Sequence, residues 1–133
     1  MINCTFADMI KLIFLIGTGG FLGTVSRFLT SRWFAVYFPS SFPYGTFAVN
    51  IMGCLLIGII YGLTEKGNFM SDEWRLFLTV GFCGGFTTFS AFAAENIAML
   101  RDTEYFNFFL YTGGSIFIGL LATYAGIMII KLL

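Results

Sequence analysis

Four long apolar stretches, separated by short polar or proline-containing segments, dominate the pattern of hydrophobic and polar positions along the chain. Each stretch runs for about 20 residues, the length at which an α-helix crosses the hydrocarbon core of a bilayer. We predict transmembrane helices at 9–29, 45–63, 75–99 and 106–130. The first stretch exceeds the short apolar core of a signal peptide, so we interpret it as a span of the mature protein. The pattern predicts an all-α membrane protein with one four-helix transmembrane domain over residues 1–133.

The segments between the predicted spans carry signals for helix ends. Residues 31–38 place aromatic side chains beside an arginine and precede Pro39, which predicts an interfacial helix along the membrane surface that ends in a turn. The segment 64–73 is polar, and Ser71 followed by two acidic residues is typical of a helix N-cap. We expect the segment 101–104 to cap the fourth span in the same way.

The composition narrows the possible classes of function. Hydrophobic residues make up 58% of the chain and charged residues 11%, a balance more apolar than that of soluble domains. Seven basic residues balance seven acidic ones, so we expect no nucleic-acid surface. The chain has no histidine, and Cys4, Cys54 and Cys83 form no C-x-x-C pair, which leaves zinc, haem and thioredoxin chemistry without support. We interpret Cys54 and Cys83 as small core residues of the spans.

The basic residues bear on orientation, because Lys and Arg near the span ends set the direction of insertion. Four lie on the N-terminal side and three on the other. The four are Lys11, Lys66, Arg75 and Lys131, and the three are Arg27, Arg32 and Arg101. So small a bias permits insertion in both directions, and opposite insertions predict an antiparallel dual-topology homodimer with twofold symmetry. One fixed orientation set by weaker signals is the alternative.

Glycine pairs inside the spans indicate close helix packing. Three pairs have G-x-x-x-G spacing, which lets two helix backbones approach each other. They are Gly19 with Gly23, Gly58 with Gly62, and Gly81 with Gly85. Ordinary packing without a transport role explains each pair singly, and together they predict a tightly packed bundle.

The third span contains a segment of low helix propensity at 81–92. Gly84 and Gly85 are adjacent, and Thr87 and Thr88 follow shortly after them. This pattern predicts a break at mid-membrane depth. Irregular backbone is tolerated there only where it is buried in protein or lines a cavity, and carbonyls freed at a half-helix end can coordinate a small cation. A kink without function is the alternative.

Aromatic and amide side chains near this segment suit a small anion. Phe89 and Phe92 stand three residues apart and share a helix face, with Ser90 beside them. Phenyl edges carry partial positive charge, so edge-on rings can stabilise an anion while N–H and O–H donors replace its water. Asn50 is expected to face the protein interior, where its amide can donate to an anion. Core packing of the rings and an interhelical hydrogen bond of the amide are the alternatives.

The fourth span carries a partly polar stripe, because Tyr111, Ser115 and Gly119 follow i, i+4, i+8 spacing. Such a stripe can line a pore or serve as a packing seam. Arg27 and Glu95 are the most deeply placed charges of their spans, and each is expected to reach water or to pair with a partner.

Three longer motifs combine many of these positions. They are G-G-F-L-G at 19–23 followed by Arg27 and Phe28, G-T-F-A-V-N at 45–50 followed by Gly53, and G-F-C-G-G-F-T-T-F-S at 81–90. In order and spacing they resemble the signatures of the Fluc (CrcB-type) fluoride channels, and the resemblance covers essentially the whole chain. The G-G-F-T-T-F-S run is much more specific than a G-x-x-x-G pair.

This resemblance implies a dual-topology homodimer in the plasma membrane, the inner membrane of a bacterium, with two fluoride pathways and a structural sodium ion at the centre. By motif position it implies a fluoride pathway formed by Asn50, Phe89, Ser90, Phe92, Tyr111 and Ser115, sodium held by the backbone carbonyls of Gly84 and Thr87, and structural roles for Arg27 and Glu95. Many family members have threonine at the position of Ala91, and serine occurs at that of Gly119, so the polar lining is reduced here.

The sequence therefore predicts a passive fluoride exporter, not an enzyme, whose partners are fluoride, a second copy of the chain and membrane lipid. A narrow, rigid path would exclude larger chloride. A small dual-topology multidrug transporter is the alternative, but it needs a central membrane carboxylate, and Glu95 lies near the end of its span. A structural subunit without a pore gives no reason for Asn50 or the Thr87–Thr88 pair.

Overall fold

The computed structural model describes residues 5–67 and 70–133 as helices joined by short connections. The elements are α1 Phe6–Tyr37, α2 Tyr44–Glu65, α3 Asp72–Leu76, a π-helical segment Phe77–Cys83, α4 Gly84–Phe86, α5 Phe89–Arg101 and α6 Tyr105–Leu132. Within these described residues, four stretches are long and apolar enough to cross a membrane: Phe6–Tyr37, Tyr44–Glu65, Asp72–Arg101 and Tyr105–Leu132. The prediction of an all-α protein with four such helices is confirmed. Cys4, and Asn68 and Phe69 of the predicted polar segment, lie outside the described residues.

The first helix is longer than predicted. Thr5 is the N-cap of α1, and its side chain forms a capping box with Asp8: each side chain accepts from the backbone N–H of the other residue. The helix itself begins at Phe6 and continues for 32 residues. The prediction of a separate interfacial helix at 31–38 is wrong, because this segment continues α1 without interruption. No proline or glycine occurs between Arg27 and Pro39, so the chain holds nothing that would end the helix earlier.

The two predicted helix caps have different outcomes. The hydroxyl of Ser71 accepts a hydrogen bond from the Trp74 N–H at the start of α3, as predicted. The predicted cap before α6 is wrong: Glu104 occupies the N-cap position without a side-chain cap hydrogen bond. Its carboxylate accepts instead from Nδ2 of Asn107 at 2.9 Å, which removes it from the backbone donors.

Backbone contact at glycines defines the packing of the bundle. α1 packs against the π-helical segment and α4, while α2 packs against α6. A Cβ added to Gly23 would meet the carbonyl oxygen of Phe82, and one added to Gly58 would meet that of Thr123. The predicted glycine pairs of the first two spans therefore mark the lines along which neighbouring backbones touch.

The single chain leaves large apolar side chains exposed along its helices. Phe21 and Phe28 of α1 and Phe117 of α6 each expose more than half of their surface. Apolar surface on this scale is unusual for a monomeric soluble protein and suits contact with lipid or with a second protein surface. Cys83 is buried and Cys54 is half-buried, and both are free thiols, which agrees with their interpretation as core residues.

Candidate functional site

The third membrane-capable stretch contains two threonines whose backbone is not helical. Thr87 (φ −85°, ψ 160°) and Thr88 (φ −151°, ψ 116°) are extended. α4 ends where the Thr87 N–H donates to the Cys83 carbonyl at 2.9 Å. α5 begins where the hydroxyl of Thr88 accepts from the Ala91 N–H at 3.2 Å. A threonine side chain suits this N-cap role, so the chain leaves one helix and enters the next within two residues.

Asn50 of α2 pairs with the backbone of this extended segment. Its Oδ1 accepts from the Thr88 N–H at 2.8 Å, and its Nδ2 donates to the Thr88 carbonyl at 3.1 Å. The amide thus bonds Thr88 as a neighbouring β-strand would, which is the interhelical alternative considered above. One Nδ2 hydrogen remains, and it has no acceptor within the part of the chain that the structure describes.

The carbonyls of Gly84 and Thr87 are separated from their helical donors. In an α-helix the carbonyl of residue i accepts from the N–H of residue i+4. The Thr88 N–H, which would serve Gly84, donates to Asn50, and the Ala91 N–H, which would serve Thr87, donates to the Thr88 hydroxyl. Both carbonyls that the resemblance assigns to sodium are therefore uncommitted to helical hydrogen bonds.

Arg27 connects α1 to the same segment. Its Nη1 donates to the Thr87 carbonyl oxygen at 3.2 Å, so the partner of this half-buried charge is backbone rather than an acidic side chain. A carbonyl oxygen has two lone pairs, and the second one at Thr87 stays available to another donor or to a cation.

A groove of about 290 Å³ opens beside the start of α5. It brings together four of the predicted pathway residues: Asn50, Phe89, Phe92 and Ser115. The centroids of the two phenyl rings lie 5.8 Å apart. The Oγ of Ser115 is buried and has no hydrogen-bond partner among the described residues. A buried hydroxyl without a hydrogen-bond partner costs free energy, so the Ser115 hydroxyl is available to an ion or molecule that enters the groove.

Ser90 lies outside this groove. It lines a second cavity of about 460 Å³ together with Arg27, Thr46 and Thr88, and its Oγ lies 3.4 Å from that of Thr88. Thr88 borders both cavities, so the start of α5 stands between one lined by phenyl rings and one lined by a guanidinium group.

Tyr111 is fully buried behind the groove. Its ring centroid lies 5.1 Å from that of Phe92, and its hydroxyl donates to Oε2 of Glu95 at 2.7 Å. The Thr46 hydroxyl donates to Oε1 of the same carboxylate at 2.6 Å. Glu95 therefore joins α2, α5 and α6 through both of its oxygens.

Three polar residues of this region are not among the predicted site residues. One is Thr46, the second hydrogen-bond partner of Glu95. The others are Asn96 and Thr112: Asn96 is 7% exposed, its Nδ2 donates to the Phe92 carbonyl at 2.9 Å, and its Oδ1 accepts from the Thr112 hydroxyl at 2.6 Å. An amide four residues beyond Phe92 in an apolar span was an available signal, because such a group must find partners in the protein.

The groove offers hydrogen-bond donors and phenyl rings, and none of the described residues that line it has a cationic side chain. Its lining residues Thr88 and Phe89 lie at the N-terminus of α5, where the helix dipole favours negative charge. This arrangement suits an anion that binds weakly enough to leave again.

A family model described as CrcB-like protein, Camphor Resistance (CrcB), matches residues 14–127, which is most of the chain. The chain belongs to this family. A protein of Flavobacterium psychrophilum named fluoride-specific ion channel FluC is 49% identical over 121 residues, which cover 91% of this chain and 98% of that relative. Relatives of the same name from Chlorobium luteolum and Bacteroides fragilis are 49% and 50% identical, covering 90% and 87% of this chain and 92% and 93% of their own lengths. The resemblance inferred from the motifs is confirmed, and the chain is a multi-pass membrane protein of the CrcB-like family.

Proposed function

We propose that this protein is a fluoride-selective channel that exports fluoride passively across the inner membrane of a bacterium. The observation that carries the proposal is the convergence of the Phe89 and Phe92 rings, one free amide hydrogen of Asn50 and the unpartnered Ser115 hydroxyl on one groove. Membership of the CrcB-like family and the names of its relatives support fluoride as the anion.

Permeation follows from the replacement of water by these groups. A fluoride ion that enters the groove exchanges its hydration for the amide and hydroxyl donors and for phenyl edges. No cationic side chain lines the groove, so the ion is stabilised without being trapped. Tyr111 holds the Phe92 ring from behind and acts as a support of the path, because its own hydroxyl is committed to Glu95.

The functional unit in this proposal is an antiparallel dual-topology homodimer with two pores, in which the third helix is broken at mid-membrane depth. The nearly even distribution of basic residues and the exposed apolar faces of the single chain support it. Labelling of single introduced cysteines on intact cells tests the topology: reaction of each position from both sides is expected, and reaction from one side only contradicts dual topology.

A structural sodium ion fits the residues at the break. The part of the chain that the structure describes holds no cluster of three or more Cys, Asp or Glu side chains suited to a metal, so a cation would depend on carbonyl ligands. The carbonyls of Gly84 and Thr87 accept no helical hydrogen bond, Thr87 keeps one lone pair beside its bond from Arg27, and both are hard oxygen donors of the kind that such a cation prefers. The ion would supply positive charge that fixes the broken ends in place.

Efflux from liposomes loaded with potassium fluoride tests the channel proposal. With valinomycin present to balance charge, the reconstituted protein is expected to release fluoride to an external fluoride electrode within seconds to minutes. Release no faster than from protein-free liposomes would refute the proposal. Release of chloride at an equal rate would refute its selectivity.

A further inference from the structure

The oxygen and the nitrogen of the Asn50 amide make different hydrogen bonds. The Oδ1 atom is used by the Thr88 N–H at 2.8 Å, whereas Nδ2 bonds the Thr88 carbonyl and retains one hydrogen beside the groove. A residue that only lined an anion path would need its N–H donors and would have no use for a bond through its oxygen. The bond through Oδ1 therefore points to a second role.

We propose that Asn50 is a positioning residue of the cation site: its Oδ1 holds the Thr88 N–H away from Gly84 and thereby keeps the Gly84 carbonyl available. This inference rests on the proposed sodium site. The last helical bond of α4 runs from the Thr87 N–H to Cys83, and the next bond in the series would join the Thr88 N–H to Gly84. Asn50 occupies that next donor.

Removal of the Asn50 oxygen frees a backbone donor that must find another acceptor. A backbone N–H held away from water is rarely left unpaired, and the acceptor that continues the helical series is the Gly84 carbonyl, one turn back. α4 would then extend by one residue, and the carbonyl would turn from ligand into hydrogen-bond acceptor. The Thr87 carbonyl would turn as well, because it shares a planar peptide unit with the Thr88 N–H, and its bond from Arg27 would be strained or lost.

Two substitutions separate the roles of oxygen and nitrogen. Asn50→Ala removes both, so it is expected to abolish sodium binding through Gly84 and also to slow fluoride efflux. Asn50→Asp retains an oxygen that accepts from Thr88 but loses the donor hydrogens and adds negative charge beside the groove. It is expected to slow efflux strongly while sodium binding persists.

The readout is the sodium-dependent rise in Tm of the purified protein, measured in sodium chloride and in N-methyl-D-glucamine chloride at equal ionic strength. A ligand at free concentration L that binds only the folded state stabilises it by RT ln(1 + L/Kd), so the rise in Tm grows with the logarithm of the affinity, and the readout needs no transport. The wild type is expected to show the rise, and Asn50→Asp to keep it. Asn50→Ala is expected to show a clearly smaller rise at the same sodium concentration, because its sodium affinity falls by at least about tenfold, the scale of one hydrogen bond.

Ser115→Ala is the matched control, because it alters the same groove without touching the break. It is expected to keep the full sodium-dependent rise. A normal rise in Asn50→Ala, or loss of the rise in folded Asn50→Asp, overturns the positioning role. No rise in the wild type refutes the sodium site itself. Should Asn50→Ala not elute as a folded protein, Asn50→Ser carries the same prediction, since a shorter side chain does not span both backbone groups of Thr88.

Discussion

Replacement of Phe92 by isoleucine is expected to slow fluoride efflux strongly while the protein stays folded. The Phe92 ring centroid lies 5.8 Å from that of Phe89 and 5.1 Å from that of Tyr111. Loss of two aromatic pairs costs about 1–3 kcal/mol of stability, and isoleucine retains most of the packed volume. Taking the about 2 kcal/mol of a desolvated cation on a ring face as the scale for an anion at the ring edge, loss of the edge is expected to slow permeation by about 30-fold.

The assay is fluoride efflux from liposomes at equal protein density, with size-exclusion elution as the measure of folding. Phe117→Ile is the matched control, because Phe117 lies on α6 outside the groove and exposes 65% of its surface. It loses a ring of the same size and is expected to conduct as the wild type does. Wild-type efflux by folded Phe92→Ile would show that the Phe92 ring only fills space and does not stabilise the anion electrostatically.

Three further substitutions test separate parts of the structure. Gly23→Ala is expected to destabilise the protein by several kcal/mol in thermal unfolding, because its Cβ would collide with the backbone of a neighbouring helix. Gly17→Ala is the control and is expected to be tolerated, because a Cβ at Gly17 has no atom within 4 Å. Equal Tm values for the two variants would contradict the close packing at Gly23. Tyr111→Phe leaves one oxygen of Glu95 without its hydroxyl partner and is expected to cost about 1–3 kcal/mol, with an unchanged Tm as the contrary result. Ser115→Ala loses no hydrogen bond within the described residues, so it is expected to slow fluoride efflux without lowering Tm. A lowered Tm with normal efflux would show that Ser115 stabilises the fold and does not line the fluoride path.

Hydropathy was sufficient to predict the four long helices, because lipid requires long apolar segments and helical backbone whatever the tertiary contacts are. The glycine pairs were equally predictable: a missing Cβ has a direct consequence for how closely two backbones approach, as at Gly23 and Gly58. The groove followed in part from spacing, since Phe89 and Phe92 share a helix face.

The remaining features depend on partners that are distant in sequence. The residues at 31–38 carry an interfacial composition, yet nothing among them stops a helix, and α1 continues through them. The bonds of Asn50 to Thr88 and of Arg27 to Thr87 join residues 38 and 60 positions apart, so no local pattern indicates them. The partly polar stripe and the family resemblance predict Tyr111 in the path, whereas its hydroxyl donates to Glu95, a contact that only the packing of α5 against α6 reveals.

The reversal potential in a planar bilayer tests the central claim most directly, because it reports which ion carries the current. With a tenfold fluoride gradient and equal chloride on both sides, a passive fluoride-selective channel reverses at about 59 mV in magnitude, the value for one charge per tenfold gradient. We predict a reversal potential at this fluoride value that does not move when chloride is replaced by a larger anion. Reversal near zero, or a reversal potential that shifts when chloride is replaced, would contradict the claim.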